Sequence, residues 1–343
     1  MADSPYAHYG VPDPQYEAIF DQMPEFDFPF NPEAGRKLLS EHFLPVFRER
    51  QKALLPDAST YKTQDHSISV GNGAAKVVMR TVTPTTSGPF PVYYYIHGGG
   101  FIMGSIDTNE YCLTTVAVKL DIAIAMLEYR LAPENPHPTQ INDCLDGLKW
   151  VINNASNLNF DLAKGFIVGG ESAGANLAVT LAHITRDDPF FEGRGRQLTG
   201  QIVQAPNILD PRSYPEQYKP ELKSFFMEGK AVKMTALTHQ FLRDIYAKYL
   251  QSAPEDPSAS PILYPSHANV APAYLQIAGL DLLRDEGILY EKLLREAGVR
   301  TKLIIYPGVS HGFFFAYPSL DKTKQWETDF EEGLRWLIAG AKA

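Results

Sequence analysis

The segment FIVGGESAG, residues 166–174, joins a short apolar run to a stretch with helical spacing. Phe166–Val168 is typical of a buried strand, because every position is aromatic or β-branched. Gly170 and Gly174 stand on either side of Ser172, where a sharp turn leaves no room for larger side chains. A G-x-S-x-G pattern between a strand and a helix is typical of a serine that is presented at the end of a sheet strand for nucleophilic attack.

Strand-like and helix-like segments alternate along the chain from about residue 66. The strand-like runs are nearly continuous in apolar residues, which is expected for a mostly parallel central sheet with helices on both faces. The pattern therefore predicts the α/β class. The predicted strands are Ala75–Val82, Val92–Ile96, Ile122–Leu127, Phe166–Val168, Ile202–Ala205, Ala273–Ala278 and Lys302–Tyr306. The predicted helices are Asp107–Lys119, Ile141–Asn153, Ser172–Arg186, Leu282–Ala297 and Lys322–Ala339.

Two segments lie outside this alternation. Residues 1–56 are rich in proline and aromatic residues and end in a helical stretch over about 33–55. Residues 207–262 carry several prolines and then a helical run over 230–250. An insertion between two strands would lie over their carboxyl ends, where α/β active sites are found. We therefore predict an N-terminal cap segment (1–56) and a catalytic domain (57–343) with a cap insertion at about 207–262, surface decoration being the alternative.

A glycine run, HGGGF at 97–101, directly follows the predicted strand Val92–Ile96. Consecutive glycines let backbone N–H groups approach the negative oxygen that forms during acyl transfer. Gly99 and Gly100 are the leading donors of this oxyanion hole, together with the N–H of Ala173, and Gly98 could share the role. His97 is expected to fix the loop by hydrogen bonding, because the hole requires geometry and not a titrating group.

A carboxylate and a histidine are expected at the ends of the last two strands. Asp281 comes shortly after the predicted strand Ala273–Ala278, and His311 shortly after Lys302–Tyr306. The chain order Ser…Asp…His is that of α/β-hydrolases. Asp285 and Glu286 fall a helical turn beyond the strand end and are interpreted as first-turn residues that the helix dipole favours.

Five motifs occur in one order along residues 85–320: HGGGF at 97–101, EYRLAPE at 128–134, GESAGANLA at 170–178, DLLRDEG at 281–287 and HGF at 311–313. In these motifs the chain resembles the hormone-sensitive-lipase group of α/β-hydrolases, a set of carboxylesterases. The resemblance implies the α/β-hydrolase fold, a helical cap, and Ser172, Asp281 and His311 as nucleophile, acid and base. The chain departs mildly from the group's pattern at Glu171, where Asp is commoner, at Ala175, where Gly is frequent, and at 135–138.

Charged residues near these motifs are expected to support the site. Tyr129, Arg130 and Glu134 follow a buried strand and are interpreted as a hydrogen-bonded ion-pair scaffold. Glu171 either braces the oxyanion loop or the cap cleft, or is a simple carboxylate at the start of a helix.

Composition limits the partners and the location. The net charge is −9 and no basic patch stands out, so nucleic acid is not an expected partner. No secretory signal is visible in residues 1–10 and no run of 18 apolar residues occurs, which predicts a cytoplasmic protein without a membrane span. The two cysteines, Cys112 and Cys144, are interpreted as reduced and buried, and no metal site is expected.

The expected function is that of a serine carboxylesterase that cleaves small to medium, mostly apolar esters through an acyl-enzyme. No metal or organic cofactor is required. An acyl-transfer or elimination enzyme of a biosynthetic pathway, which uses the same triad but excludes water, remains open. A non-catalytic ligand receptor on a hydrolase scaffold is the remote alternative.

Aromatic and aliphatic residues near the predicted site are the candidates for substrate binding. Core packing is favoured for Phe314 and Phe315. The last predicted helix has an apolar stripe (Trp326, Phe330, Leu334 and Trp336) that fits either the core or a homodimer surface, and the core is favoured. The substrate-binding candidates are Phe101, Ile102, Phe225, Phe226, Met227 and Phe313.

Overall fold

Eight strands form one sheet at the centre of the protein. The computed structural model describes residues 4–22, 31–193, 195–235, 237–251 and 253–342. The strands lie in the order β1-β2-β4-β3-β5-β6-β7-β8, and those from β3 to β8 run parallel, whereas β2 is antiparallel to both of its neighbours. The predicted α/β class is therefore confirmed. The strands are β1 (Tyr61–Val70), β2 (Ala75–Pro84), β3 (Val92–Ile96), β4 (Ala123–Leu127), β5 (Phe166–Glu171), β6 (Gly200–Gln204), β7 (Ala273–Leu280) and β8 (Thr301–Ser310).

Eleven α-helices occur among the described residues, and a π-helical turn, Leu39–Phe43, joins the second to the third. None of the described helices is both long and apolar enough to cross a membrane. The helices are α1 (Pro14–Phe20), α2 (Pro32–Leu38), α3 (Leu44–Lys52), α4 (Glu110–Leu120), α5 (Thr139–Asn154), α6 (Ala173–Asp187), α7 (Lys230–Lys233), α8 (His239–Tyr249), α9 (Arg284–Glu296), α10 (Phe313–Ala316) and α11 (Asp321–Ile338).

The two faces of the sheet are covered by different helices. Successive strand side chains point to opposite faces. In β3, Tyr93 and Tyr95 accordingly pack with α4 and α11, whereas Tyr94 packs with α5 and α6. The apolar stripe of α11 is part of the first face, since Phe330 and Leu334 are buried in that core, as the favoured interpretation expected.

Strand β1 was not predicted, and the predicted helix over 230–250 is interrupted. Most residues of β1 face solvent, so this edge strand lacks the apolar run by which strands are recognised. In the insertion, α7 ends at Lys233 and α8 begins anew because Thr238 caps it, its side chain accepting the N–H of Phe241.

Candidate active site

Ser172 lies at the turn between β5 and α6, with φ 55° and ψ −118°. A Cβ atom at Gly170 or at Gly174 would lie 2.1 Å from the carbonyl oxygen of Ile96, at the end of β3. Only glycine fits at either position, because the turn is packed directly against the neighbouring strand. The G-x-S-x-G spacing thus follows from the close approach of the two strands, and it exposes the serine at the carboxyl edge of the sheet.

Ser172, His311 and Asp281 form one chain of hydrogen bonds. His311 Nε2 is 3.1 Å from Ser172 Oγ, and His311 Nδ1 is 2.7 Å from Asp281 Oδ2. The other oxygen of Asp281 accepts the N–H of Leu283 at 3.0 Å, and the carboxylate is almost fully buried. Since a carboxylate accepts hydrogen bonds, Nδ1 carries the imidazole proton and Nε2 is left to accept the proton of Ser172.

The N-terminal segment supports the turn that carries His311. The hydroxyl of Tyr16 lies 2.8 Å from Ser310 Oγ and 2.5 Å from the carbonyl oxygen of Met234. Burial raises the pKa of Tyr16 well above its usual range, so the phenol stays neutral. Sequence reasoning missed Tyr16, because one tyrosine in an aromatic-rich segment gives no signal of a contact 294 positions away.

The glycine loop after β3 lies against this turn. Gly99 and Gly100 have φ values of +114° and +61°, and a Cβ at Gly99 would lie 2.2 Å from the carbonyl oxygen of Met103. Within the part of the chain that the structure describes, the N–H groups of Gly99, Gly100 and Ala173 have no hydrogen-bond acceptor. Gly98 differs, because its N–H donates to Glu171 Oε1 at 3.0 Å. That bond removes Gly98 from the predicted set of oxyanion donors.

His97 fixes the glycine loop and does not contact Ser172. Its ring stacks on Tyr129 at 4.2 Å, and its Nδ1 is 2.7 Å from the carbonyl oxygen of Gly98. The Tyr129 hydroxyl donates to the carbonyl oxygen of His97 at 3.0 Å. The arrangement is the structural role that the sequence predicted for both residues.

Glu171 joins the serine turn to the glycine loop. Its buried carboxylate accepts hydrogen bonds from the Tyr95 hydroxyl at 2.7 Å, from Asn109 Nδ2 at 3.0 Å and from the Gly98 N–H. Burial raises the pKa of Glu171 to about 7, although these three donors oppose the shift. The carboxylate therefore braces the loop, which is one of the two roles that the sequence left open.

An apolar cavity of about 300 Å³ opens at Ser172 and His311. Side chains from the N-terminal segment, from the insertion and from α10 complete its walls. Polar groups are few apart from the hydrogen-bonded serine and histidine, as is usual for sites that bind apolar small molecules. The apolar lining residues from these three segments are Leu39, Phe43, Phe47, Leu237, Phe241, Leu242, Ile245, Phe314, Phe315 and Ala316.

The structure does not place the six predicted substrate-binding residues on this cavity. Phe101 is buried and stacks on Tyr249 at 3.7 Å, and Ile102 is buried behind the glycine loop. The backbone of Phe101 has φ +63°, a left-handed conformation that the sequence pattern gives no means of predicting. The insertion residues lie elsewhere for another reason: Phe225 and Met227 are buried in a core that the insertion shares with α6, β7 and α9, and Phe226 is 59% exposed.

The aromatic run of α10 is also oriented differently from the prediction. Phe313 is buried against Tyr306 and Trp326, whereas Phe314 and Phe315 line the cavity. Successive side chains of a helix point about 100° apart, so only one part of such a run can face the core. The favoured interpretation of Phe314 and Phe315 as core residues is therefore corrected.

Two arginines form ion pairs and hydrogen bonds with the loops around the site. Arg130 pairs with Asp143 at 2.7 Å, in keeping with the predicted scaffold. Arg36, in α2, forms two hydrogen bonds with Glu134, at 3.0 and 2.8 Å, and also donates to the carbonyl oxygens of Ile102 and Ala132 at 2.7 Å each. Arg36 was not predicted, since its partners lie about 66 to 98 positions away. It fastens the N-terminal segment over the glycine loop.

A comparison with protein families identifies the fold. The family model described as alpha/beta hydrolase fold matches residues 93–315, from β3 to α10. The chain belongs to the α/β-hydrolases. Within them its relatives place it in the hormone-sensitive-lipase group, which confirms the resemblance seen in the five motifs. It is accordingly an enzyme of the esterase type.

Individual relatives cover most of the chain. An AB hydrolase superfamily protein of Schizosaccharomyces pombe is 32% identical over 90% of this chain and 86% of its own length. The carboxylic ester hydrolase LipN of Mycobacterium tuberculosis is 31% identical over 72% of this chain and 63% of its own. Among solved structures, vibralactone cyclase is 34% identical and superposes with a TM-score of 0.92, covering 98% of this chain and 97% of that one.

Proposed function

We propose that the protein hydrolyses small to medium, mostly apolar carboxylic esters through an acyl-enzyme on Ser172. The observation that carries the proposal is the chain of hydrogen bonds from Ser172 through His311 to Asp281, which opens onto an apolar cavity. The presence of a carboxylic ester hydrolase among the relatives supports the same reaction.

Attack begins at the carbonyl carbon of the ester. His311 Nε2 takes the proton of Ser172 as Oγ forms a bond to that carbon, and the buried carboxylate of Asp281 stabilises the imidazolium. The N–H groups of Gly99 and Gly100, with that of Ala173, donate to the carbonyl oxygen as it becomes negative, each contributing about 10²–10³ in rate. His311 then returns the proton to the leaving alcohol. Water, activated by the same imidazole, releases the carboxylic acid and regenerates Ser172.

The N-terminal segment and the insertion form a cap over this site. Both contribute side chains to the cavity wall, Phe47 from α3 and Ile245 from α8 among them. Arg36 ties the first of these segments to the glycine loop. The cap gives the cavity its apolar character, and it therefore selects the ester. A cytoplasmic location and assembly into a homodimer remain predictions from the sequence.

The test is hydrolysis of p-nitrophenyl esters from two to twelve acyl carbons by the wild type and by Ser172→Ala. We expect kcat to fall on the order of 10⁴–10⁶ in the variant, because the nucleophile is lost and only substrate binding and the oxyanion hole remain. Substitution of the exposed Ser59, remote from the site in the turn before β1, by alanine is the matched control and should leave the rate unchanged. Full activity in Ser172→Ala would refute the proposal.

A second candidate function is acyl transfer to an internal acceptor. The similarity to vibralactone cyclase favours it, because the name of that protein describes ring closure. The same acyl-enzyme would then be attacked by a hydroxyl of the acyl group, with loss of Ser172 as the leaving group and formation of a lactone. Mass spectrometry of the products from a hydroxyacyl ester separates the two: a free hydroxy acid indicates hydrolysis, and a product lighter by one water indicates cyclisation.

A further inference from the structure

A second cavity, also of about 300 Å³, lies directly behind the one at Ser172. Its floor is formed by Tyr95, Glu171 and Gln204, which stand at the carboxyl ends of the adjacent strands β3, β5 and β6. Helices α4 and α11 form its walls through side chains such as Val116 and Phe330. The cavity therefore lies at the same edge of the sheet as the active site, on the face that α4 and α11 cover.

A thin wall separates the two cavities. Glu171, Phe314 and Phe315 line both of them. The ring of Phe314 stacks on Trp326 at 4.2 Å, and the carbonyl oxygen of Phe315 accepts a hydrogen bond from Arg50 at 3.1 Å. Because these three residues line both cavities and Ser172 lines the first, a group that is bonded to Ser172 and extends past them enters the second cavity.

Two amide donors in the lining of the second cavity are already engaged within the protein, whereas one amide acceptor is free within the described part of the chain. Asn109 Nδ2 already donates to Glu171 at 3.0 Å, and Gln204 Nε2 donates to Gln276 at 2.8 Å. By contrast, Gln51 Oε1 is buried and has no hydrogen-bond partner among the described residues. A buried acceptor without a partner is costly, and a ligand hydroxyl would satisfy it. The chemistry therefore favours an apolar body that carries a hydrogen-bond donor.

The position of His311 decides which part of an ester can enter. His311 lines the first cavity and not the second. It must stand beside the leaving alcohol to protonate it, so the alcohol occupies the first cavity. The acyl group, which remains on Ser172 after the alcohol departs, is the part that can extend past Glu171. Each cavity alone lies near the lower end of the range of about 300–1,000 Å³ for ligand sites.

We propose that the second cavity binds the distal part of the acyl group, and that it favours a medium-length apolar chain or ring with a hydroxyl towards its far end. The proposal rests on the proposed function, because it assigns the acyl subsite of the same acyl-enzyme. Val116 and Gln51 are then specificity-determining residues that lie away from the reacting atoms. One governs the space available to the chain, and the other governs recognition of the hydroxyl.

The test compares p-nitrophenyl acetate, dodecanoate and 12-hydroxydodecanoate as substrates. Val116→Phe places a larger ring in the second cavity, and Val118→Phe is the matched control, because Val118 is in the same helix but does not line the cavity. We expect Val116→Phe to lower kcat/KM for both twelve-carbon esters about tenfold or more, and to leave the acetate within about twofold. Val118→Phe should change neither. An unchanged chain-length profile in Val116→Phe would overturn the proposal.

Gln51→Leu tests the recognition of the hydroxyl separately. Gln51 lies in the partly exposed helix α3. The preference for 12-hydroxydodecanoate over dodecanoate should fall about threefold to tenfold, since one hydrogen bond is lost. An unchanged preference for 12-hydroxydodecanoate in Gln51→Leu would show that Gln51 does not recognise the hydroxyl, and would overturn that part of the proposal. If no ester is hydrolysed, the proposed function fails, and titration calorimetry with 12-hydroxydodecanoic acid still tests the cavity. Binding that Val116→Phe weakens supports it, and absence of binding to the wild type overturns it.

Discussion

Replacement of Glu171 by glutamine should make the stability of the protein less dependent on pH. The carboxyl group is 5% exposed, and its pKa is raised by burial from 4.5 to about 7. In the unfolded chain it loses its proton near pH 4.5, whereas in the folded protein it keeps the proton until near pH 7. The folded state thus binds more protons in this interval, and the free energy of unfolding of the wild type falls as the pH rises.

The size of the effect follows from the shift. The rise of the pKa from 4.5 to about 7 corresponds to about 3 kcal/mol, most of which is lost between pH 5 and pH 8. Glutamine has nearly the same shape and does not titrate. The free energy of unfolding of Glu171→Gln relative to the wild type should therefore rise by about 2–3 kcal/mol over this interval, and the contributions of all other groups cancel in the comparison.

Urea unfolding of both proteins at pH 5 and pH 8 measures this difference. Glu134→Gln is the matched control, because Glu134 is largely exposed and its pKa is lowered by Arg36 instead of being raised. Its relative stability should change in the opposite direction or not at all. A difference between Glu171→Gln and the wild type that is the same at both pH values would refute the reasoning, since the buried carboxyl would then have an ordinary pKa.

Three further predictions, two of them with a control substitution, concern the core, the N-terminal segment and the triad. Phe101→Ala should lower the free energy of unfolding by about 3–5 kcal/mol, because the ring is fully buried. The exposed Phe226 should tolerate alanine within about 0.5 kcal/mol; equal losses in urea unfolding would contradict the placement of the two rings. Arg36→Ala should speed limited proteolysis within residues 31–52, because the bonds of Arg36 to the glycine loop are lost. Lys37→Ala, which removes only an exposed ion pair, should not. Equal rates of cleavage would show that Arg36 does not hold the N-terminal segment in place. Asp281→Asn should lower kcat about 10⁴-fold, because an amide no longer holds the catalytic imidazole in the required tautomer. Initial rates with p-nitrophenyl acetate measure it, and a loss of less than about tenfold would exclude the role.

The central strands of the parallel sheet, β3 to β7, were predictable because each is buried on both faces. Val92–Ile96 is apolar or aromatic throughout, and the structure gives it the same bounds. Tyr61–Val70 is the counterexample, since an edge strand that faces solvent has a polar sequence. The pattern of apolar residues thus identifies strands that are buried in the core and does not identify strands that face solvent.

The reacting groups could be predicted from the sequence, whereas the residues of the cavity wall could not. A meeting of Ser172, Asp281 and His311 at one edge of the sheet could be predicted, because each residue follows a strand there. The lining could not be predicted, because it depends on the rotation of short elements. A positive φ turns Phe101 into the core, and the helix at 313–316 turns Phe314 towards the cavity.

The central claim is that Ser172 becomes acylated, and covalent labelling tests it most directly. The wild type and Ser172→Ala would be treated with a p-nitrophenyl alkylphosphonate, which bonds to an activated serine with release of p-nitrophenol. Tandem mass spectrometry of the digested protein would then locate the adduct. We expect one phosphonyl group on Ser172 in the wild type and none in the variant. A label on another residue, or a label that persists in Ser172→Ala, would contradict it.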